Sequence, residues 1–443
     1  MFGFRNLGNT RVPHHKRTAG MAAVTMPPPA EVLLPMAQHI GAPATPIVKA
    51  GDTVLVGQKI GEGSGAVSAP VYASVSGKVK GIEEYLTPQG CKVSAVRIVS
   101  DGEMRVAELV PPTVTDFESF VMAVRESGLV GLGGAGFPTA IKLSADGKGN
   151  IDTIVFNGAE CEPYITSDTR VMLDEQDAIK RGVELLKKYL SPNKKYIFGV
   201  EENKKACIRA LEGTFSSDED VSVKTLPSLY PQGAEKVLIY NTTGRVVPEG
   251  KLPADVGVLV MNVSSLVALA KYIDTGMPLV SRTVTVDGSP VSTPKNVVAP
   301  IGTPVSALLD FVGVSGEIGK VLFGGPMMGI PMANTDEPIT KTTGAITVMS
   351  PEEATPPIST PCIHCGRCLS ACPLSLDPVA YSKALNIESK EERMARLEAT
   401  KVNLCMECGC CSYVCPAKRP LVQNNRLGKA ALREYKLHAN TLK

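Results

Sequence analysis

Two cysteine runs near the C-terminal end constrain this chain more than any other feature. Cys362, Cys365, Cys368 and Cys372 form one; Cys405, Cys408, Cys411 and Cys415 form the other, and each reads C-x2-C-x2-C-x3-C-P, closed by Pro373 and Pro416. This is the spacing of bacterial proteins that carry two [4Fe–4S] clusters. Three thiolates two residues apart wrap one face of a cubane, and the fourth, displaced and followed by proline, points toward the neighbouring cluster. The spacing predicts one cluster on Cys362, Cys365, Cys368 and Cys415, and another on Cys405, Cys408, Cys411 and Cys372. The competing reading is a pair of four-cysteine zinc sites, but zinc frameworks pair two C-x2-C knuckles across a long spacer. Adjacent clusters carry single electrons, so the rest of the chain must hold their source.

Eight of the twelve cysteines fit these runs as thiolate ligands, which suits a reducing compartment rather than disulfides. Cys410 breaks the spacing and reads as a bystander. Cys91 and Cys207 read as structural, and Cys161 has no evident base to make it a nucleophile.

A length of 443 residues with 44% hydrophobic content implies two to four domains, each with a core. Lysine plus arginine (46) balances aspartate plus glutamate (44), which gives no electrostatic reason to expect nucleic acid as a partner. The last 28 residues carry seven Lys/Arg against one acid, Glu434, and read as a solvated basic helix face. Met1–Asn6 shows no signal-peptide pattern, and the longest apolar stretch, residues 257–270, is broken by Asn262, Ser264 and Ser265 and too short to span a bilayer. A cytosolic or membrane-peripheral protein is expected.

Residues 1–29 are basic and proline-dotted and read as an irregular arm, with His14 and His15 solvated. Residues 30–110 alternate short strand-like runs with glycine turns and resemble the barrel-sandwich module of lipoyl and biotinyl carriers. The stretch corresponding to the carriers' modified hairpin, Gly61–Ala66, has no lysine, so a structural or docking module is expected.

Residues 111–280 open with a helix capped by Asp116 and ended by Gly128. A glycine loop follows, with Gly131, Gly133, Gly134 and Gly136 ahead of Pro138 and Lys142. Its G-x-G-x-x-G string is a weak dinucleotide signal, because a helix and not a strand precedes it. The glycines nonetheless expose backbone N–H groups to an anion, and Lys142 stands within reach of a phosphate. Beyond the loop, strands at 151–156, 196–200, 221–226 and 256–261 alternate with helices at 168–190, 203–211, 233–240 and 264–273. That order predicts a parallel α/β sheet. Asn157, Glu160 and Glu162 follow one strand and Asn262 another, the positions where such sheets bind ligands.

Taken in order, Gly131 to Thr139 with Lys142, then Asn157, Glu160 and Glu162, then Gly233 and Glu235 after Tyr230, then Asn262, resemble the flavin-binding NADH dehydrogenase subunit of respiratory complex I. Adding the Gln38–Pro43 and Phe323–Gly329 strings and the twin cysteine runs, the chain resembles the RnfC family, the C subunits of Rnf electron-transport complexes, over nearly its whole length. The resemblance implies that the glycine loop and Lys142 hold FMN phosphate and that Asn157, Asn262, Glu160 and Glu162 position isoalloxazine and nicotinamide, the two glutamates as catalytic groups. Gly233 and Glu235 would lie over the nucleotide. Three departures stand out: Leu132 where those relatives carry arginine, Ala159 for an acid, and Ala234 for the first Glu of Gly-Glu-Glu. They bear on NADH binding more than on FMN.

The resemblance further implies a multidomain α/β and β architecture. It comprises a lipoyl-like barrel sandwich, a Rossmann-like FMN domain, a β-grasp soluble-ligand-binding module at 281–349, and an α-helical two-cluster ferredoxin domain at 350–443. The last follows a proline-rich linker, and the 32 residues between Cys372 and Cys405 read as helices. Hydride exchange between NAD(H) and FMN, single-electron transfer through two [4Fe–4S] clusters, and ferredoxin:NAD+ oxidoreduction coupled to ion translocation would follow. Other subunits of a membrane-bound Rnf-type complex would be the partners, ferredoxin would act through the complex, and the chain would sit on the cytoplasmic face of the membrane. A cobalamin-reductase flavoprotein of a microcompartment, or a non-catalytic electron wire, are the alternatives.

Overall fold

The computed structural model describes residues 7–88 and 90–441. Met1–Asn6, on which the signal-peptide reading rests, lie outside the described residues.

Four strands, Thr153–Gly158, Lys195–Glu201, Val221–Leu226 and Val258–Asn262, form a wholly parallel sheet. Helices cover both faces, so the first strand reads as a continuous apolar run in which Ile154, Val155 and Phe156 are all fully buried. The spatial order is third, second, first, fourth. The chain steps outward twice and then returns to the far side of its first strand. The reversal therefore lies between the first and fourth strands, where Asn157 stands opposite Asn262. At such a switch point the flanking connections leave in opposite directions and the carboxyl ends enclose a crevice.

The helix ahead of the glycine loop is Phe117–Glu126, with a reciprocal capping box between Asp116 and Ser119. Gly128 reverses the chain at φ 69°, a backbone that a Cβ would strain. A short helix, Thr139–Ser144, then begins directly after Pro138. The single helix expected over 168–190 is two, Ser167–Asp174 and Gln176–Tyr189, broken at Glu175. Each half is anchored separately. The first is fixed at its N-terminus by Glu160, and the second is pressed against Leu266 through Gly182.

Residues 31–100 form two small antiparallel sheets around Val32, Leu34, Ile60, Val71, Val96 and Ile98. A six-stranded mixed sheet follows the parallel one in sequence, with Val284, Val286, Val297, Ile346 and Val348 in its core. Its edge strand is Val24–Thr25, contributed by the N-terminal arm and parallel to Lys295–Pro300.

The arm is thus not irregular packing material. Gly8 lies against the Cys372 carbonyl, Thr10 exchanges both backbone hydrogen bonds with Tyr230, and Arg17 pairs with Asp287. It straps three units together.

The cysteine runs sit among helices Arg367–Ser370, Pro378–Ala384, Lys390–Ala399, Cys410–Tyr413 and Leu421–Thr441, with no strand among the described residues beyond 350. Asp377 caps the second helix and Ser389 the third. The basic tail forms the last of these helices. One face carries Lys436 to Glu398 and the other buries Leu421, Val422 and Leu432.

Candidate functional site

The crevice between the first and fourth parallel strands gathers residues from five segments. The glycine loop leaves Val130 and returns at Pro138, closed by the Gly131 N–H donating to the Phe137 carbonyl at 2.9 Å. A Cβ on Gly133 would stand 2.5 Å from Asn262 Nδ2, so only glycine lets the loop come down onto that strand end. Lys142 reaches across with Nζ donating to the Val260 carbonyl at 3.2 Å and to Glu235 Oε2 at 3.3 Å. Asn157 donates to the Gly233 carbonyl at 2.9 Å. Asn262 accepts from the Ser264 and Ser265 N–H groups, capping Val263–Thr275, and its Nδ2 donates to Asp168 Oδ2 at 2.7 Å. Gly133, Lys142, Asn157, Gly233, Glu235 and Asn262 therefore converge. Gly131 and Gly134 belong to the same loop, and Gly136 turns it against Gln38 and Thr342.

Glu160, expected as a catalytic group, has its carboxylate committed within the protein. It accepts from the Asp168 N–H (2.8 Å), the Thr169 N–H (3.2 Å), Thr169 Oγ1 (2.8 Å) and Ser167 Oγ (3.3 Å). It is a remote N-cap for Ser167–Asp174, stabilised by the positive end of that helix, and has little capacity left for a ligand. Glu162 is held as well, accepting from the Met327 and Met328 N–H groups at 3.1 and 2.7 Å. Burial outweighs these two amides and pushes its carboxyl up to about 6.

Beneath the crevice lie charges that no local pattern announces. Asp168 bonds Ser264 Oγ at 2.5 Å as well as Asn262, and its pKa is raised by burial and then by the Glu160 carboxylate. Arg282 enters from the mixed sheet and donates to the Leu132 carbonyl at 3.3 Å. Its burial lowers the guanidinium to about 10. Lys16 of the arm donates to the carbonyls of Glu160, Glu162 and Ile165 at 2.8, 2.7 and 2.5 Å, with burial bringing its amine down to about 8.

From this crevice a packed route leads to the cysteine runs. Cys161 Sγ accepts from the Gly233 N–H at 3.4 Å. Tyr230, buried, donates its hydroxyl to the Cys408 carbonyl at 2.7 Å, and Cys410 Sγ approaches the Tyr230 carbonyl at 3.8 Å. Cys410 is therefore no bystander but interdomain packing, in one apolar cluster with Val12, Tyr230, Ala371 and Cys408. The Phe323–Gly329 loop closes the junction: Gly325 lies against Glu162, and a Cβ on Gly409 would meet the Met327 carbonyl at 2.8 Å.

The two runs share one backbone. His364 and Glu407 are left-handed at φ 54° and 61°, Gly366 and Gly409 at 74° and 80°, Ser375 and Lys418 at 54° and 52°. Four non-glycine residues in that region cost roughly 1 kcal/mol or more each and persist only where the surroundings impose them. A partly open cavity is lined by Cys372, Cys405, Cys408 and Cys411 among others. This is one of the two sets that the crossed spacing predicted. Among the described residues no three His, Cys, Asp or Glu side chains close on a point as a single ion requires. Of the other set, Cys365 is exposed and Cys368 buried, with Cys362 and Cys415 between.

Family models match for the Nuo51 FMN-binding domain over residues 124–271, the RnfC barrel sandwich hybrid domain over 6–103, the SLBB domain over 283–331 and the 4Fe-4S dicluster domain over 358–419. Together they define an electron-transfer protein with FMN-binding and iron–sulfur domains. The C subunit of the Na(+)-translocating ferredoxin:NAD(+) oxidoreductase complex of Acetobacterium woodii is 44% identical over 79% of this chain and 80% of its own length. The proton-translocating counterpart of Clostridium ljungdahlii is 41% identical, over 85% and 84%. The C subunit of the ion-translocating oxidoreductase complex of Rhodobacter capsulatus is 38% identical, over 95% and 82%. This chain belongs to that family, the C subunits of Rnf-type complexes. A chain of an NAD+-reducing [NiFe]-hydrogenase shares the fold at TM-score 0.53 and 19% identity, over 73% of this chain and 64% of that one. No helix among the described residues is long and apolar enough to cross a membrane.

Proposed function

We propose that this chain is the NAD(H)-facing electron-transfer component of an Rnf-type membrane complex, serving ferredoxin:NAD+ oxidoreduction coupled to ion translocation. One observation carries the reading: the switch-point crevice and the four-cysteine cavity are joined by a packed junction in which the Gly233 N–H donates to Cys161 and Tyr230 donates to the Cys408 carbonyl. The relatives' names support ferredoxin, NAD+ and the other members of the complex as partners. The chain would be peripheral, on the cytoplasmic face.

In this reading the units are a lipoyl-like barrel sandwich (30–110) behind the strap (1–29), a Rossmann-like flavin domain (111–280), a β-grasp module (281–349) and a helical ferredoxin domain (350–443). The crevice fits a flavin nucleotide by its donor set. The loop of Gly131, Gly133, Gly134 and Gly136 with Lys142 would hold a phosphate, since exposed N–H groups and an ammonium complement an anion. Asn157 and Asn262 would orient the ring system, with Gly233 and Glu235 over it. Glu162, and not Glu160, is the carboxylate placed to feel a charge in the crevice. Four cysteines line the cavity, and the spacing of their runs suits a cubane better than the paired C-x2-C knuckles of a zinc site. FMN, when bound, supplies the conversion between a two-electron hydride donor and one-electron carriers.

Anaerobic purification with flavin, iron and sulfide assays, followed by NADH titration of the visible spectrum, tests this. Flavin, both clusters and bleaching by NADH are expected. Lys142→Ala should lower flavin retention about tenfold, the loss of one charge-assisted contact, while sparing iron. Absence of flavin together with an unchanged spectrum refutes the proposal and leaves the electron wire; reactivity toward a corrinoid would favour the cobalamin reductase.

A further inference from the structure

The cavity lined by Cys372, Cys405, Cys408 and Cys411 is the more enclosed of the two cysteine sets, which sets an energetic problem. One electron entering a four-thiolate cubane brings one negative charge and no proton. In a buried, weakly polar site that added charge is opposed, so burial alone drives the potential down. Hydrogen-bond donors aimed at sulfur oppose this, because they bind the more negative state more strongly.

Such donors surround Cys405. Asn425, only 1% exposed and lining the cavity, directs Nδ2 at Cys405 Sγ at 3.3 Å. The Glu407 N–H points to the same sulfur at 3.4 Å, and Lys429 bonds the Cys405 carbonyl at 2.8 Å. Tyr381 is 0% exposed, belongs to the apolar cluster on which Cys372 and Cys405 pack, and its hydroxyl has no hydrogen-bond partner among the described residues. A buried hydroxyl left without an acceptor is destabilising. A sulfur of an inorganic core in the cavity would supply the missing acceptor.

We propose that Asn425 and Tyr381 are positioning residues for electron transfer, donors to the sulfurs of this one cluster that keep it reducible despite its burial. The inference rests on the proposed function, since it requires a cluster in the cavity.

The test is a dithionite redox titration of the reconstituted full-length chain, followed by electron paramagnetic resonance. Wild type is compared with Tyr381→Phe, Asn425→Leu and the double variant. Expected is a downward shift of one of the two midpoints, with the double variant about tenfold less reduced at fixed ambient potential, equivalent to 59 mV for a one-electron couple. Iron and sulfide content should be unchanged in Tyr381→Phe, which deletes only an unpartnered hydroxyl, so that variant decides the matter if Asn425→Leu fails to load. Unmoved midpoints in intact clusters, an upward shift, or equal movement of both midpoints overturns the inference. A wild-type chain that holds no cluster overturns the proposed function instead.

Discussion

Lys341 carries the sharpest energetic prediction, because it is 1% exposed and no carboxylate among the described residues bonds it. Its Nζ donates to the Pro70 carbonyl at 2.6 Å and the Gly128 carbonyl at 2.8 Å, tying the barrel sandwich to the hinge of the glycine loop. Burial alone depresses the amine to about 7. Above that pH the native amine is neutral while an unfolded lysine, with a pKa of about 10.4, still binds its proton. Stability must therefore rise with pH across this window. Integrated from pH 7 to pH 9, the group adds about 2 kcal/mol to wild-type stability. Lys341→Met keeps the stem and removes the amine. It should be the less stable protein at pH 9, where two carbonyls lose a donor at about 1 to 3 kcal/mol each. Near pH 7 relief of the buried charge offsets part of that loss. The check is urea unfolding of both proteins at the two pH values, with flavin retention as a second readout. If the difference between them is the same at pH 7 and pH 9, Lys341 titrates normally and the reasoning fails.

Glu160→Ala removes the acceptor from the first turn of Ser167–Asp174 and should cost about 1 to 2 kcal/mol in unfolding, with NADH reactivity per bound flavin nearly unchanged. Collapse of reactivity at undiminished stability would restore Glu160 as a catalytic group. Glu162 has a folded pKa of about 6, above its ordinary value of 4.5, so its contribution is present below pH 4.5 and lost as pH rises through 6. Thermal stability of wild type should fall by about 1 kcal/mol between pH 5 and pH 7, and Glu162→Gln should flatten that dependence. A dependence identical in both proteins would place the titration elsewhere.

Much of the architecture was open to inspection in the sequence. The parallel sheet is announced by apolar runs spaced by helical periodicity, and the error of one helix for two at Glu175 arose because apolar residues continue at helical spacing on both sides of the break. Of the crevice, Gly133, Lys142, Asn157, Gly233, Glu235 and Asn262 were legible and do converge. Asp168, Arg282 and Lys16 were not, since each acts through partners far along the chain: Asn262, Leu132 and Glu160 respectively. Glu160 itself shows why a strand-end carboxylate is ambiguous. Crevice and helix terminus both lie within reach, and only the direction of the side chain distinguishes them.

The arm gave no signal because a basic, proline-rich stretch lacks periodicity whether it is free or strapped. Its contacts with Tyr230, Cys372 and Asp287 are made across most of the chain's length. Cys410 likewise had no meaning until Tyr230, 180 residues away, stood beside it. The twin runs, by contrast, announced their kinship by spacing alone, and the same three left-handed positions recur in each. What only the tertiary structure decided is which cysteine set faces the crevice and which faces outward. That depends on how separately folded units pack, and packing is settled by contacts that local sequence does not encode.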